Sequence, residues 1–238
     1  MSSRGVFITG TGTGVGKTLV SASLAVALAK RGVQTRVVKP FATGISPSAS
    51  WQDNDPLFLQ AVMDSNGGVF TGGQYWELPL SPYDAALIEG VLCDFEGTIN
   101  RLIKGTDSKF FDIWEGAGGV LVPLSDGLTV RDAVKRAGLP VLVIAHAGLG
   151  TINQTLLTLE ALRGFEIMGV IFSEVDRSGG GTAGKVSPDT VGRFGGVNVF
   201  GTVPFAAGFS DALTVEDAIN ALPWDTPTIQ GLVDCLVL

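Results

Sequence analysis

The chain has 238 residues, 45% of them apolar, a formal net charge of −7 and two cysteines, Cys93 and Cys235. That length suits one well-cored α/β domain over residues 1–238, and the acidic balance argues against a nucleic-acid partner, which needs an extended basic surface. Two thiols make no disulfide framework, no apolar run approaches the ~20 residues a bilayer demands, and the N-terminus enters a strand with no leader pattern, so a cytoplasmic protein with free thiols and no membrane partner is expected.

Residues 5–9 are an apolar run that reads as the first strand. It delivers the chain into Gly10-Thr11-Gly12-Thr13-Gly14-Val15-Gly16-Lys17-Thr18, and an alanine-rich helical pattern follows over Lys17–Lys30. Strand, glycine-rich loop and helix in that order are the context of a phosphate-binding loop. Glycines let backbone N–H groups close around phosphate oxygens, and the helix N-terminus adds partial positive charge. Lys17 would reach the outer phosphates and the Thr18 hydroxyl would ligate Mg2+. The spacing departs from the common form, with five residues rather than four between Gly10 and Gly16-Lys17-Thr18.

Gly32 is a candidate cap for that helix. Residues 35–39 read as a second strand, which Pro40 is expected to end while biasing Lys39 towards extended backbone. The Lys39 ammonium then stands at the carboxyl end of a strand, where open α/β sheets bind ligands, although a solvated strand terminus is the usual fate of a lysine. Residues 45–53 are polar and turn-rich. Residues 56–63 are helical with Pro56 early in the first turn, and Asp53 or Asp55 could cap that helix or face a metal beside the loop. Residues 64–82, with Gly67-Gly68, Gly72-Gly73, Pro79 and Pro82, read as loop, then 81–91 and Phe95–Lys104 as helices. Residues 109–114 are an apolar strand ending in Glu115-Gly116-Ala117-Gly118-Gly119, a second carboxylate at a strand end with a glycine-rich turn behind it that admits a ligand close to the backbone.

Residues 128–137 are helical, and 139–145 form the clearest buried strand. His146 follows it and, with no partner acid nearby in the sequence, reads as a strand-end residue rather than a catalytic one. A helix over 152–163, with Ile152, Leu156, Leu159 and Leu162 on one face, precedes strands at 167–172 and 197–201. Between those strands, 178–188 is glycine-rich, poor in apolar residues and reads as a mobile loop. The tail over 228–238 has no Lys or Arg and reads as packing. The alternation gives an α/β fold, a doubly wound, mostly parallel sheet of the P-loop NTPase type. From the residues alone, the loop, Thr18, the acidic candidates and Lys39 make a Mg·nucleoside triphosphate site for transfer or switching.

These motifs resemble the dethiobiotin synthetase family. The resemblance also rests on Lys39-Pro40-Phe41-Ala42-Thr43-Gly44, Asn54-Asp55, Pro123-Leu124-Ser125-Asp126 and Leu149-Gly150-Thr151-Ile152-Asn153. It covers most of the chain, weakening in 45–110 and 174–196, and the five-residue loop spacing is that family's. It implies an enzyme that joins CO2 to 7,8-diaminononanoate (diaminopelargonate) with ATP and Mg2+, giving dethiobiotin, ADP and phosphate. By resemblance Lys17 and Lys39 are catalytic, and Thr18, Asp55 and Glu115 form the metal site. The nucleotide is held by Thr13, Gly14, Val15, Gly16, Lys17, Thr18 and Leu19, with Asp55, Glu115, Gly116, Ala117 and Gly118 beside them. Ser173, Glu174, Pro204, Phe205, Ala206 and Asp211 lie where the family closes around base and ribose. Thr13, Lys39 and Thr43 face the diamine. Gly150, Thr151 and Asn153 offer N–H donors to the carboxylate of a substrate tail that reaches across a homodimer.

Two departures bear on these implications. Gly14 stands where some members carry an acidic residue. Ser173 stands where the family reads adenine with an asparagine, and a hydroxyl cannot offer the paired donor and acceptor of an amide, so CTP or another nucleoside triphosphate is expected to substitute for ATP. Two rival readings fit less well. A cobyrinate diamide synthase usually adds a glutaminase domain, for which the chain has no room. A partitioning ATPase usually carries a signature lysine in its loop, where this chain has Gly12, and needs a basic or amphipathic contact surface.

Overall fold

The computed structural model describes residues 4–46 and 50–237. β1 (Gly5–Gly10) is buried along its whole length and feeds through the glycine loop into α1 (Lys17–Lys30). A strand covered on both faces is apolar throughout rather than alternating, and residues 5–9 have that character. There follow β2 (Thr35–Ala42), a 3-10 turn (Trp51–Asp53), α2 (Asp55–Ser65), β3 (Val69–Tyr75), α3 (Pro82–Glu89), α4 (Phe95–Lys104) and β4 (Phe111–Gly119). A small antiparallel pair, β5 (Pro123–Ser125) and β6 (Leu128–Thr129), leads to α5 (Val130–Ala137), β7 (Val141–His146), α6 (Thr151–Ala161) and β8 (Ile167–Ser173). The chain then forms α7 (Gly181–Gly195), β9 (Val199–Val203), α8 (Ala207–Ser210), α9 (Val215–Asn220) and α10 (Pro227–Val237).

Seven strands make one parallel sheet in the order β3-β2-β4-β1-β7-β8-β9. The expected doubly wound sheet is thus borne out. From β1 the chain winds outwards to β2 and β3, and from β4 it crosses to β7, β8 and β9 on the other side. Ligands of such sheets bind beyond the carboxyl ends of the strands at this reversal, here beside the loop. Alternate residues of β1 face opposite layers. Val6 and Ile8 join Leu24, Leu28, Phe58, Leu59 and Ile229 in one core, and Phe7 joins Ile99, Leu102, Trp114 and Val143 in the other. The tail packs as expected, with Ile229, Leu232 and Val233 of α10 buried.

Several local expectations are corrected. Pro40 does not end β2. Pairing with β4 stops at Val38, and Pro40 falls between the Lys39 and Phe41 registers to β3, where its missing N–H breaks no ladder bond. The loop read over 64–82 contains the edge strand β3, disguised by Gly72-Gly73. A Cβ on Gly73 would lie 1.8 Å from the Pro40 carbonyl oxygen, so the glycine reflects close backbone approach. Gly73→Ala should therefore overpack this contact and cost ~1–3 kcal/mol, lowering the thermal midpoint by roughly 2–12 °C; an unchanged unfolding curve would contradict this. The residues read as a turn after Glu115 continue β4 through Gly119. Residues 128–129 are strand, with the helix starting at Val130. The region read as a mobile loop, 178–188, runs largely into α7. Its glycines serve packing too, since a Cβ on Gly180 would fall 1.5 Å from the Ala147 carbonyl oxygen. His146 ends β7 as expected, and both cysteines are free, with Cys235 exposed.

Candidate active site

The loop takes its shape from left-handed glycines, Gly14 at φ 72° and Gly16 at φ 93°, and Gly16 caps α1. No acidic side chain occupies the first turn of α1, so its N–H groups and dipole are left for an anion. Ser173, ending β8, lies directly beneath: a Cβ on Gly16 would fall 2.5 Å from its Oγ. Ser173 is fully buried and its Oγ has no hydrogen-bond partner. It floors the loop and presents no edge to the space above.

Side chains from β2, β4, α1 and α2 converge here. Lys39 of β2 is buried, with Nζ 3.0 Å from Asp55 Oδ2 and 2.5 Å from Glu115 Oε1. The Thr18 hydroxyl donates to Glu115 Oε1 at 2.8 Å, and Lys17 Nζ donates to the Gly12 carbonyl at 2.9 Å. Neither Asp53 nor Asp55 caps α2. Asn54 does, its Oδ1 accepting from the Leu57 N–H at 3.0 Å, which leaves the Asp55 carboxylate for the site.

Burial, with the charge of Lys39 beside it, pushes Lys17 down to about 8. Lys39 is buried as well, yet Asp55 and Glu115 overcome that penalty and hold its ammonium above the usual lysine range. Burial likewise opposes the Asp55 charge, but Lys39 and Thr18 reverse this and hold the carboxyl below its ordinary value. Two lysines and two carboxylates thus balance at the mouth of the loop.

Among the described residues no cluster of three His, Cys, Asp or Glu could hold a metal. Thr18, Asp55 and Glu115 are a sparser set, one hydroxyl and two carboxylates. Hard oxygen donors in that number suit Mg2+, which keeps waters and phosphate oxygens in its remaining positions. Glu115 Oε2, buried with no partner, is an unused acceptor consistent with that role. The residues present fit the ion.

A cavity of about 950 Å3 opens over these groups. Thr13, Gly14, Gly16, Lys17, Thr18, Leu19, Lys39, Thr43, Asp55, Ala117 and Gly118 all line it. Val15, Glu115 and Gly116 do not line it. At the ends of β8 and β9, also outside the lining, Glu174 Oε2 accepts the Phe205 N–H at 3.1 Å. Asp211 pairs with Arg177 at 2.5 Å, and the Arg177 guanidinium lies 5.5 Å from the centre of the Phe205 ring. Pro204 and Ala206 flank Phe205 in sequence. Gly150, Thr151 and Asn153 stand at the N-terminus of α6, outside the cavity of this single chain. Sequence reasoning missed Trp51, Gln52, Phe58, Phe209 and Ser210 and the strip over residues 79–82, all of which line the cavity. Apart from the prolines, nothing local marks them, because they meet only through the fold.

A family model described as an AAA domain matches residues 4–212. ATP-dependent dethiobiotin synthetase BioD of Endomicrobium trichonymphae is 42% identical over 176 residues, covering 71% of this chain and 79% of that protein. The protein of the same name from Bacillus licheniformis is 36% identical over 203 residues, covering 84% and 86%. Among solved structures, a ParA family ATPase from Chlorobium tepidum TLS matches with a TM-score of 0.58 and 11% identity, covering 100% of this chain and 99% of its own, a likeness of fold alone.

Proposed function

The chain belongs to the dethiobiotin synthetase family and is an ATP-dependent ligase of biotin biosynthesis; from that premise we propose that residues 1–238 act as one P-loop domain that carboxylates 7,8-diaminononanoate (diaminopelargonate) and closes its ureido ring. A neutral amine attacks CO2, forms the N–C bond and loses a proton, giving a carbamate. A carbamate oxygen takes the γ-phosphoryl group, releasing ADP and leaving a carbamic-phosphoric anhydride. The second amine attacks the carbonyl carbon, loses its proton and expels phosphate, and dethiobiotin results.

The phosphoryl step brings two anions together, so it depends on cations fixed between them. The observation that carries the assignment is the pair of buried lysines beside the loop, Lys39 in contact with both Asp55 and Glu115. Lys17 serves the outer phosphates, and Lys39 the carbamate and the group in transfer. Thr13 and Thr43 position the diamine. Mg2+ held by Thr18, Asp55 and Glu115 would neutralise the carboxylates and screen the phosphates. Glu174, Pro204, Phe205, Ala206 and Asp211 form the base and ribose end, while Ser173, read from the resemblance as part of that end, lies buried beneath Gly16 and reaches neither. Gly150, Thr151 and Asn153 receive the substrate tail across a homodimer, in the cytoplasm. No described helix is long and apolar enough to cross a membrane.

The test is dethiobiotin formation from diaminopelargonate and bicarbonate, followed by mass spectrometry, with ATP and CTP supplied separately and in competition. Product is expected with either nucleotide, because Ser173 is buried beneath Gly16 and supplies no amide to a base edge. Strict ATP dependence would overturn the loose base selection, and no product with any nucleotide would overturn the assignment.

A further inference from the structure

Three aromatic rings from two separate stretches meet on the cavity wall. Trp51, in the 3-10 turn, has its ring centre 5.7 Å from that of Phe58 in α2 and 6.0 Å from that of Phe209 in α8. Phe58 and Phe209 meet edge to face at 5.3 Å. Beside them, Gln52 Nε2 donates to the Ala212 carbonyl at 3.2 Å. Asp55 lies between Trp51 and Phe58 in sequence, so the points that pin this stretch to α8 bracket the carboxylate that meets Lys39 and Thr18. The position of Asp55 is therefore set by the segment that follows β9 as well as by its own helix cap. A turn pinned to a second segment shares its freedom with that segment, so ordering either one at binding lowers the cost of ordering the other.

We propose that Trp51 and Gln52 are positioning residues that clasp the Asp55 turn to the segment 205–212, so that nucleotide and divalent cation bind as coupled events. This rests on the reading of the cavity as a Mg·ATP site. Phe209 and Ser210 line the same cavity as the loop, so a nucleotide seated there orders the far half of the clasp. The clasp carries that order to Asp55, and a cation held at Asp55 returns it by the same route.

Calorimetric titration of ATP into the full chain, with and without Mg2+, tests this for the parent, Trp51→Ala, Trp51→Phe and Gln52→Ala. Both residues line the cavity, so ATP alone is expected to weaken in Trp51→Ala and Gln52→Ala, but by less than Mg·ATP does. The factor by which Mg2+ tightens ATP should fall by about fivefold or more in Trp51→Ala and Gln52→Ala, within the usual range of site coupling, and return in Trp51→Phe. Tryptophan emission of the parent should change on adding Mg·ATP, and most of that change should vanish in Trp51→Phe. Gln52 is exposed, so its variant tests the clasp even where Trp51→Ala fails to fold. An unchanged Mg2+ factor in the variants, or equal weakening with and without Mg2+, overturns the inference alone. A parent that binds no ATP overturns the site reading with it.

Discussion

Lys39→Ala is expected to lower turnover by ~10²–10³ while Mg·ATP still binds, the scale of losing one preorganised contact to the transition state. Lys39 is only 2% exposed, so no water-borne counter-ion takes over when its ammonium is removed. The change also leaves Glu115, fully buried, with the Thr18 hydroxyl as its remaining hydrogen-bond partner and no cation in contact to offset its desolvation. Lys39→Arg should not rescue, because a planar guanidinium cannot replace a point charge set between two carboxylates in so tight a space. Lys17→Ala should differ in kind, with loss of nucleotide affinity, since Lys17 stands on the loop itself, bonded to Gly12. The comparison needs kcat at saturating substrates and ATP affinity by calorimetry. Normal turnover in Lys39→Ala would remove it from the catalytic assignment.

Asp112→Ala should destabilise the fold by about 3–5 kcal/mol, the cost of stranding a buried charge. Arg36 Nε donates to Asp112 Oδ1 at 2.8 Å and Nη2 to Oδ2 at 2.6 Å, with both side chains 3% exposed or less. The guanidinium also reaches the Leu102 carbonyl and Thr106, so it ties β2 and β4 to the end of α4. Without Asp112 that charge stays buried with only neutral acceptors. For a chain of this size the thermal midpoint should fall by roughly 6–20 °C. The pair lies towards the amino ends of β2 and β4, away from the site, so KM values should stay as they were. Arg36→Met combined with Asp112→Leu should recover much of the loss, because the pair's desolvation disappears along with its attraction. A single variant as stable as the parent would show that the pair contributes nothing.

What the sequence disclosed and what it hid divide along physical lines. The loop was legible because its conformation and its chemistry are both local: φ above zero demands Gly14 and Gly16, and phosphate chemistry asks for Lys17-Thr18 at a helix start. Lys39 and Glu115 were legible as charges delivered by apolar strands, since the run of apolar residues before each gives the strand's direction, but both lie inside strands that run on to Ala42 and Gly119 rather than at their ends. Their contact with each other was not legible, because it depends on β2 and β4 lying side by side. β3 and α7 were hidden by glycines that suggest loops but answer to close packing against Pro40 and Ala147. The choice between Asp53 and Asp55 stood open in the sequence, and the true cap of α2, Asn54, lies between them. Least legible was the aromatic wall of Trp51, Phe58 and Phe209, which joins residues about 150 positions apart.

The likeness to a ParA family ATPase is one of fold alone and does not tell a ligase from an ATPase. Phosphate release from Mg·ATP, with diaminopelargonate and bicarbonate present together or omitted in turn, separates them most directly. Release is expected only when both are present, with one dethiobiotin formed per phosphate. Steady hydrolysis indifferent to the diamine would contradict the site as assigned.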